Sequence, residues 1–190
     1  MSSKKIGIVL LAAGSSSRYQ GIKLLDTIEG KKMYLHIMEK LQSLPLSPKI
    51  IVTQYDEISS TAPEYGYVPI MNMETQLGIS HSIQTGLKQA LMLEPKLEAV
   101  MFGVCDQPFV TSASLGKLME AFQNTDQNLV VLTYQDRMGN PCIFGKKYFP
   151  ELFALSGDVG GKVIIRNHSE DVLPVDVSQE RELIDIDIRI

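Results

Sequence analysis

Short apolar runs alternate with helix-like segments along this chain, and that alternation limits the folds available to it. Ile6–Ala13, Lys49–Thr53 and Ala99–Val104 are dominated by apolar residues, a pattern typical of strands inside a sheet. Between them, Met33–Leu44 and Ser80–Leu93 carry apolar residues three and four positions apart, which predicts amphipathic helices, the second with Ser80 as its N-cap. The order of elements predicts an α/β fold with a mostly parallel mixed sheet and helices on both faces.

Weaker patterns predict the other elements. Strands are expected at Gly66–Ile70, Leu129–Tyr134 and Val172–Val175, and helices at Ser112–Phe122, Tyr148–Leu155 and Gly161–Asn167. Gly139-Asn140-Pro141 predicts a turn, and the alternation of Ile184–Ile190 predicts a half-exposed edge strand. Gly86 lies inside a predicted helix at a cost of about 1 kcal/mol relative to alanine, so close packing is expected there.

Composition excludes several classes of protein. The 190 residues carry a net charge of −4, with 44% apolar and 21% charged residues, which is ordinary for a globular protein. We predict a single domain over residues 1–190. The slight acidity argues against a nucleic-acid partner, because a protein that binds nucleic acid needs a basic face. No apolar run approaches the ~18 residues of a membrane span, and two cysteines are too few for a disulfide scaffold. We expect a cytoplasmic protein without membrane contact.

The first strand is followed by a turn of small residues and two bases, which is suited to binding a polyphosphate. Small side chains allow backbone N–H groups to approach phosphate oxygens, and serine hydroxyls can donate to them. Arg18 and Lys23 add positive charge. The expected contacts are Leu11, Ala12, Ala13, Gly14, Ser15 and Ser17. The pattern is not a Walker A motif, and a serine-rich surface loop with two solvated bases is the alternative.

Two aspartates are candidates for binding a metal or substrate. Asp106 follows the buried strand Ala99–Val104, and its hard oxygen ligands suit Mg²⁺. Alternatively, the Asp106 side chain forms an Asx-turn before Pro108. Asp158 lies in a glycine-rich stretch, where it is either a second metal ligand, a substrate contact or the cap of a helix beginning near Gly161. The neighbouring charge of Asp106 disfavours a thiolate at Cys105, so we expect Cys105 to be a core residue.

These motifs resemble a known family. Leu11-Ala12-Ala13-Gly14, followed by Arg18 and Lys23, resembles the signature of nucleotidyltransferases with the three-layer, Rossmann-like glycosyltransferase-A-type fold. Cys105-Asp106-Gln107-Pro108 is similar to the Gly-Asp-Gln-Pro motif of the molybdenum cofactor cytidylyltransferases (MocA-like). Three more segments match that branch in order: Asn72–Leu87, Gly139–Pro141 and Leu155–Gly161. The related MobA-like guanylyltransferases carry Leu-Ala-Gly-Gly and Gly-Pro-Leu at positions 11–14 and 78–80, so the resemblance favours cytidine.

The resemblance implies transfer of CMP from CTP to molybdenum-bound molybdopterin, with Mg²⁺ and release of pyrophosphate. It implies that Arg18 and Lys23 stabilise the phosphates, that Asp106 holds the metal, and that Gly78 and Ser80 read the base or pterin. Asn140 and Asp158 are further binding candidates. A molybdenum hydroxylase is the implied recipient of the product. The alternatives are another nucleotidyltransferase of this fold, using GTP or a sugar or polyol phosphate, and a non-catalytic carrier of the cofactor. Intact Arg18, Lys23 and Asp106 argue against the carrier.

Overall fold

A seven-stranded mixed sheet forms the centre of the protein. The computed structural model describes residues 3–14 and 21–187. The strands are β1 Ile6–Ala12, β2 Thr27–Ile28, β3 Lys31–Lys32, β4 Lys49–Thr53, β5 Val68–Met71, β6 Ala99–Val104, β7 Leu129–Tyr134, β8 Arg137–Gly145 and β9 Val172–Asp176. The helices are α1 Met33–Gln42, α2 Asp56–Thr61, α3 Ile79–Leu93, α4 Ser112–Gln123, α5 Phe149–Ala154 and α6 Lys162–Asn167. The predicted α/β class is therefore confirmed.

The sheet order is β5-β4-β1-β6-β8-β7-β9, and β2 pairs with β3 as a separate small ribbon. Within the large sheet, β8 pairs antiparallel with both of its neighbours, while the other pairings are parallel. Both edge strands contain a proline, Pro69 in β5 and Pro174 in β9. Proline has no N–H to donate, and an edge strand tolerates that loss.

Helices cover both faces of the sheet because neighbouring strand residues point in opposite directions. Ile8 and Leu10 pack with α1, α2 and α4, whereas Val9 packs with α3, α5 and α6. The two resulting apolar layers contain residues that are almost fully buried, including Leu41 and Leu118 on one side and Leu87 and Leu152 on the other. This three-layer arrangement confirms the prediction of helices on both faces.

Gly86 lies where α3 crosses the sheet. A Cβ atom added at Gly86 would meet Val9 Cγ1 at 2.3 Å and Val52 Cγ2 at 3.1 Å. A side chain at this position would force α3 away from β1 and β4, so close packing explains the glycine, as predicted from its helical context.

Three local predictions are wrong. Gly139-Asn140-Pro141 lies inside β8, because the chain reverses earlier, at Gln135 and Asp136, and an irregularity in the β7–β8 register accommodates the tripeptide. Residues 184–187 of the predicted edge strand are not a strand: the preceding Glu180–Leu183 forms a 3₁₀ turn, and the Ile186 N–H donates to the Asp106 carbonyl instead of to a strand ladder. Residues 188–190 lie outside the described part. Ser80 does not cap α3, since the helix already begins at Ile79.

Two elements have no counterpart in the sequence predictions: α2 and the β2–β3 ribbon. Both are too short to establish a periodic pattern. Within residues 3–14 and 21–187, no helix has the length and apolar character needed to cross a membrane.

Candidate active site

A cleft of about 270 Å³ opens at the carboxyl ends of β1 and β6. This is the position at which open α/β sheets bind ligands, because the loops leaving adjacent parallel strands diverge there. The cleft is lined by residues from β1, β6, the first turn of α3 and the loops around them: Leu11, Ala13, Gly14, Lys23, Leu24, Thr75, Gly78, Ile79, Ser82, Val104, Cys105, Asp106 and Asp158.

Lys23 and Asp106 meet in this cleft although 83 residues separate them in the sequence. Lys23 Nζ donates to Asp106 Oδ2 at 2.7 Å and to Asp187 Oδ1 at 3.2 Å. The Lys23 side chain is only 13% exposed, so these charges interact in surroundings that water screens poorly. The backbone turns at Cys105 and Asp106, but the Asx-turn interpretation of Asp106 is not supported, since its Oδ2 accepts a hydrogen bond from Lys23 and its buried Oδ1 has no hydrogen-bond partner among the described residues.

The pKa values of this cluster reflect its carboxylates. Burial by itself lowers the pKa of Lys23, but hydrogen bonds and charges from Asp106 and Asp187 outweigh burial and raise it. The pKa of Asp185 is also raised, first by loss of solvent and then by the negative charge of Asp106. Lys23 is therefore a fixed positive charge, and the site concentrates negative charge around it.

The C-terminal segment reaches the cleft because two buried side chains anchor it. Glu182 Oε2 accepts hydrogen bonds from Thr111 N, Thr111 Oγ1 and Ser114 Oγ, at 3.1, 2.8 and 2.6 Å. Gln107 Nε2 donates to Asp185 Oδ1 at 2.7 Å. Asp185 and Asp187 were missed as site residues because an edge strand was predicted there. The signal was present, since a period of two places both aspartates on one side of the segment.

Several predicted binding residues come together at the cleft. Leu11, Ala13, Gly14, Gly78 and Asp158 all line it. Asp158 does not cap a helix, because α6 begins at Lys162 with Gly161 as its N-cap residue and no side-chain cap. Of the three interpretations of Asp158, the structure therefore excludes the helix cap and leaves the metal ligand and the substrate contact.

The other predicted residues lie elsewhere. Ala12 is buried, and its carbonyl accepts a hydrogen bond from Thr53 Oγ1 at 3.2 Å. Ser80 is also buried and does not line the cleft, whereas Ser82, two residues further on, does. Ser15, Ser17 and Arg18 lie outside the described residues.

Gly78 shapes the wall that carries Ser82. Its φ of +82° is in the left-handed region, and an added Cβ would meet the Gly157 carbonyl oxygen at 2.3 Å. The Ser80 N–H donates to the same carbonyl at 3.3 Å. Only glycine allows the start of α3 to pack this closely against the Gly157–Asp158 loop.

A second cavity of about 250 Å³ adjoins the cleft and shares Leu11, Ile79 and Val104 with it. Most of its remaining lining is apolar, and the polar side chains Asn140 and Lys162 also line it. Cys142 contributes to its wall as a buried thiol whose pKa burial raises to about 12; burial likewise raises the pKa of Cys105. Both cysteines are buried members of the apolar layers and are therefore core residues, as expected for Cys105.

The donors in the cleft fit a hard divalent cation. Asp106 offers a buried oxygen without a partner among the described residues, and Asp187 lies on the other side of the same lysine. Within residues 3–14 and 21–187, no group of three or more His, Cys, Asp or Glu side chains is arranged to hold a metal. One or two carboxylates are nevertheless typical of Mg²⁺ sites, because waters and substrate phosphates supply the remaining ligands.

Comparison with other sequences gives distant relatives, one of which is named as a cytidylyltransferase. Over 66% of this chain, the bifunctional protein GlmU of Exiguobacterium sibiricum is 29% identical, and the match spans 28% of that protein. The 3-deoxy-manno-octulosonate cytidylyltransferase of Bartonella bacilliformis is 26% identical over 66% of this chain and 51% of its own length. The match thus spans about a quarter to a half of these relatives.

Solved structures share the fold over nearly the whole chain. A nucleotidyl transferase from Methanothermobacter thermautotroptrophicus superposes with a TM-score of 0.80 at 19% identity, covering 97% of this chain and 92% of that one. Rv0371c from Mycobacterium tuberculosis, also solved in complex with manganese, has a TM-score of 0.78 at 21% identity, covering 98% and 95%. CMP:2-keto-3-deoxy-manno-octonic acid synthetase complexed with CTP has a TM-score of 0.70 at 12% identity, covering 92% and 90%.

The family model for the MobA-like NTP transferase domain matches residues 8–172, which include most of β1, all of β6 and the lining residues of both cavities, but not Asp185 and Asp187. Because this model covers most of the chain, the protein belongs to the MobA-like NTP transferase family.

Proposed function

We propose that this protein transfers CMP from CTP to molybdenum-bound molybdopterin, forming molybdopterin cytosine dinucleotide and pyrophosphate. The observation that carries the proposal is the meeting of Lys23 and Asp106 at 2.7 Å in a cleft that Ala13 and Gly14 also line. A fixed cation, a carboxylate and a small-residue turn are the groups needed to hold a metal–triphosphate complex. The Leu11-Ala12-Ala13-Gly14 motif supports CTP over GTP.

In this proposal, the triphosphate lies over the end of β1. Backbone N–H groups following Ala13 bind its oxygens, with Ser15, Ser17 and Arg18 as further donors, and Lys23 neutralises charge on the leaving pyrophosphate. Asp106 and Asp187 would hold Mg²⁺ there. When bound, the metal supplies positive charge to the reacting phosphates.

The reaction needs no protein nucleophile. An oxygen of the acceptor's terminal phosphate attacks the α-phosphorus of CTP, and the bond from that phosphorus to the bridging oxygen of pyrophosphate breaks. The acceptor phosphate is already ionised at neutral pH, so no base is required. Positioning and charge neutralisation by Lys23 and Arg18 supply most of the rate enhancement.

The second cavity is the proposed acceptor site. It shares a wall with the nucleotide cleft, so a molecule bound there can bring a phosphate group to the α-phosphorus. Its apolar lining, which includes Phe102 and Phe144, suits a flat heteroaromatic body, while Lys162 and Asn140 supply polar contacts. Gly78 and Asp158 line the nucleotide cleft but not the second cavity, and we assign them to recognition of the base, with Ser80 as part of their supporting backbone.

The remaining expectations join this proposal: a single domain over residues 1–190, a cytoplasmic location, and a molybdenum hydroxylase as recipient.

The test is release of pyrophosphate with Mg²⁺ and molybdenum-loaded molybdopterin, comparing CTP, GTP, ATP and UTP. We expect release with CTP, and its loss in Asp106→Asn. Asp136→Asn is the matched control, because Asp136 is exposed in the reversal between β7 and β8. This control should retain wild-type turnover.

Other outcomes would redirect the proposal. Release with GTP would identify a guanylyltransferase. Turnover of CTP only with a sugar or polyol phosphate would move the acceptor to that class, in line with the 3-deoxy-manno-octulosonate cytidylyltransferase among the relatives. Binding of the pterin without consumption of any nucleotide would contradict enzymatic transfer and favour a carrier.

A further inference from the structure

We propose that Asp106 and Asp187 form one cation position that Lys23 and a divalent metal occupy in turn. In the absence of nucleotide, the Lys23 ammonium is the resident counter-ion of this position. Metal binding displaces it, and the displaced ammonium becomes available to the triphosphate. This inference rests on the proposed function, because it takes the cleft to bind a metal–nucleotide complex.

The geometry of Lys23 is that of a bound cation. Its Nζ lies 2.7 Å from Asp106 Oδ2 and 3.2 Å from Asp187 Oδ1, so it bridges carboxylates from the end of β6 and from the C-terminal segment. The other lysines in the described part of the chain that form ion pairs contact one carboxylate each. Lys23 is also far less exposed than Asp187, at 13% against 59% for the side chains.

The ammonium and a metal cannot share this position. Mg²⁺ binds oxygen at about 2.0–2.1 Å. A metal on the same two carboxylates would therefore lie within a few ångströms of the ammonium, and the two positive charges would repel strongly in this poorly solvated cleft. Because Asp106 Oδ1 remains buried without a partner among the described residues, the carboxylate retains an acceptor for the incoming ion.

Bound nucleotide should favour the metal over the Lys23 ammonium at the two carboxylates. Two carboxylates are few ligands for a divalent ion, and Lys23 neutralises part of their charge, so we expect the nucleotide-free protein to bind metal weakly. Triphosphate oxygens add ligands for the metal and offer Lys23 a new partner. Lys23 thus opposes metal binding without nucleotide and supports binding of the metal–nucleotide complex.

The experiment therefore measures the effect of Lys23 on metal affinity twice, once without nucleotide and once with it. Mn²⁺ binding is titrated by electron paramagnetic resonance for the wild type, Lys23→Met and Lys40→Met, each with and without CTP and with no acceptor present. Without CTP, Lys23→Met should bind Mn²⁺ more tightly by about fivefold or more. With CTP, the same variant should bind the Mn²⁺–CTP complex more weakly than the wild type.

Lys40 is the matched control, because it is a partly buried lysine whose ammonium donates to the Pro108 carbonyl at 2.6 Å. Lys40→Met should change Mn²⁺ affinity by no more than about twofold. Unchanged or weaker Mn²⁺ binding by nucleotide-free Lys23→Met would overturn the exchange, as would equal tightening in Lys40→Met, which would indicate a general charge effect.

If Lys23→Met fails to fold, a measurement on the wild-type protein tests the same displacement of Lys23. Reductive methylation followed by mass spectrometry reports how accessible each lysine amine is. Saturating Mg²⁺ alone should increase methylation of Lys23 and leave Lys40 unchanged, and addition of CTP should protect Lys23 again. No increase at Lys23 would contradict displacement. Neither measurement needs turnover, so exchange of Mn²⁺ and Lys23 in a protein that releases no pyrophosphate would leave this inference standing and refute the proposed function.

Discussion

Two lysine–aspartate pairs of nearly equal length lie at opposite ends of the sheet and differ in their surroundings. Lys23 Nζ lies 2.7 Å from Asp106 Oδ2 in the cleft, and Lys147 Nζ lies 2.8 Å from Asp171 Oδ2 at the other end. Asp171 also accepts hydrogen bonds from Tyr148 OH at 2.8 Å and Asn128 N at 2.8 Å. Asp106, in contrast, has a buried oxygen without a partner in the part of the chain that the structure describes.

The difference separates a structural ion pair from a binding site. Burial by itself raises the pKa of Asp171, yet its hydrogen bonds with Lys147, Asn128 and Tyr148 lower the pKa to about 2. Asp171 therefore has its hydrogen-bonding capacity filled by the protein and joins β7, β8 and β9 at their ends. Asp106 has capacity left over, which is costly in a folded protein unless a ligand uses it.

The largest expected effect is the loss of catalysis when the Lys23–Asp106 pair is changed. Asp106→Asn removes the metal-binding charge and should lower turnover by more than about a hundredfold. The fold should survive, because Asp106 makes few contacts that the amide cannot replace. Steady-state pyrophosphate release and thermal unfolding measure the two properties. Wild-type turnover in this variant would remove Asp106 from the active site.

Replacing each of the two lysines by alanine tests the comparison directly. Lys23→Ala should lose more than about tenfold in rate, equivalent to about 1.4 kcal/mol or more of transition-state stabilisation. Lys147→Ala, which removes the partner of Asp171, should leave the rate unchanged because it lies at the far end of the sheet. Equal loss of activity in both variants, or loss of stability alone in Lys23→Ala, would favour a surface-loop role for Lys23.

The Lys147–Asp171 pair should contribute to the stability of the fold. Asp171→Asn weakens charge-assisted hydrogen bonds to Lys147, Tyr148 and Asn128, and we expect the free energy of unfolding to fall by about 1.5–3 kcal/mol. Urea unfolding measures this change, and kcat on the folded protein should stay within about twofold. A strong effect on kcat would mean that the two ends of the sheet are coupled.

The smallest effect concerns pH. The pKa of Asp171 is lowered from 3.8 to about 2 on folding, so the folded state holds its proton more weakly than the unfolded state. Its contribution to stability is therefore present above about pH 4 and is lost as the pH falls towards 2. Urea unfolding of the wild type over this range should show a decline in stability that is reduced in Asp171→Asn. Parallel curves for the two proteins would assign the decline to other groups.

Sequence patterns predicted the regular elements well and the irregular ones poorly. β4, β6 and β7 have the predicted bounds, because continuous apolar runs identify buried strands without knowledge of their neighbours. Ile184–Ile190 alternates as an edge strand should, but the chain beyond β9 is anchored by Glu182 and Gln107 instead of pairing with a strand. Side-chain hydrogen bonds to distant residues produce no periodic signal.

The sequence by itself determined the alternating strands and helices and the clustering of small residues, Lys23 and Asp106 at strand ends, because these features depend on local periodicity and residue type. Only the tertiary structure decided that Asp187 joins them, that the cleft is lined by Ser82 and not by Ser80, and that Asp158 does not cap α6. Those outcomes depend on distances between segments far apart in the chain, and such distances are fixed only when the sheet and its two helical layers pack together.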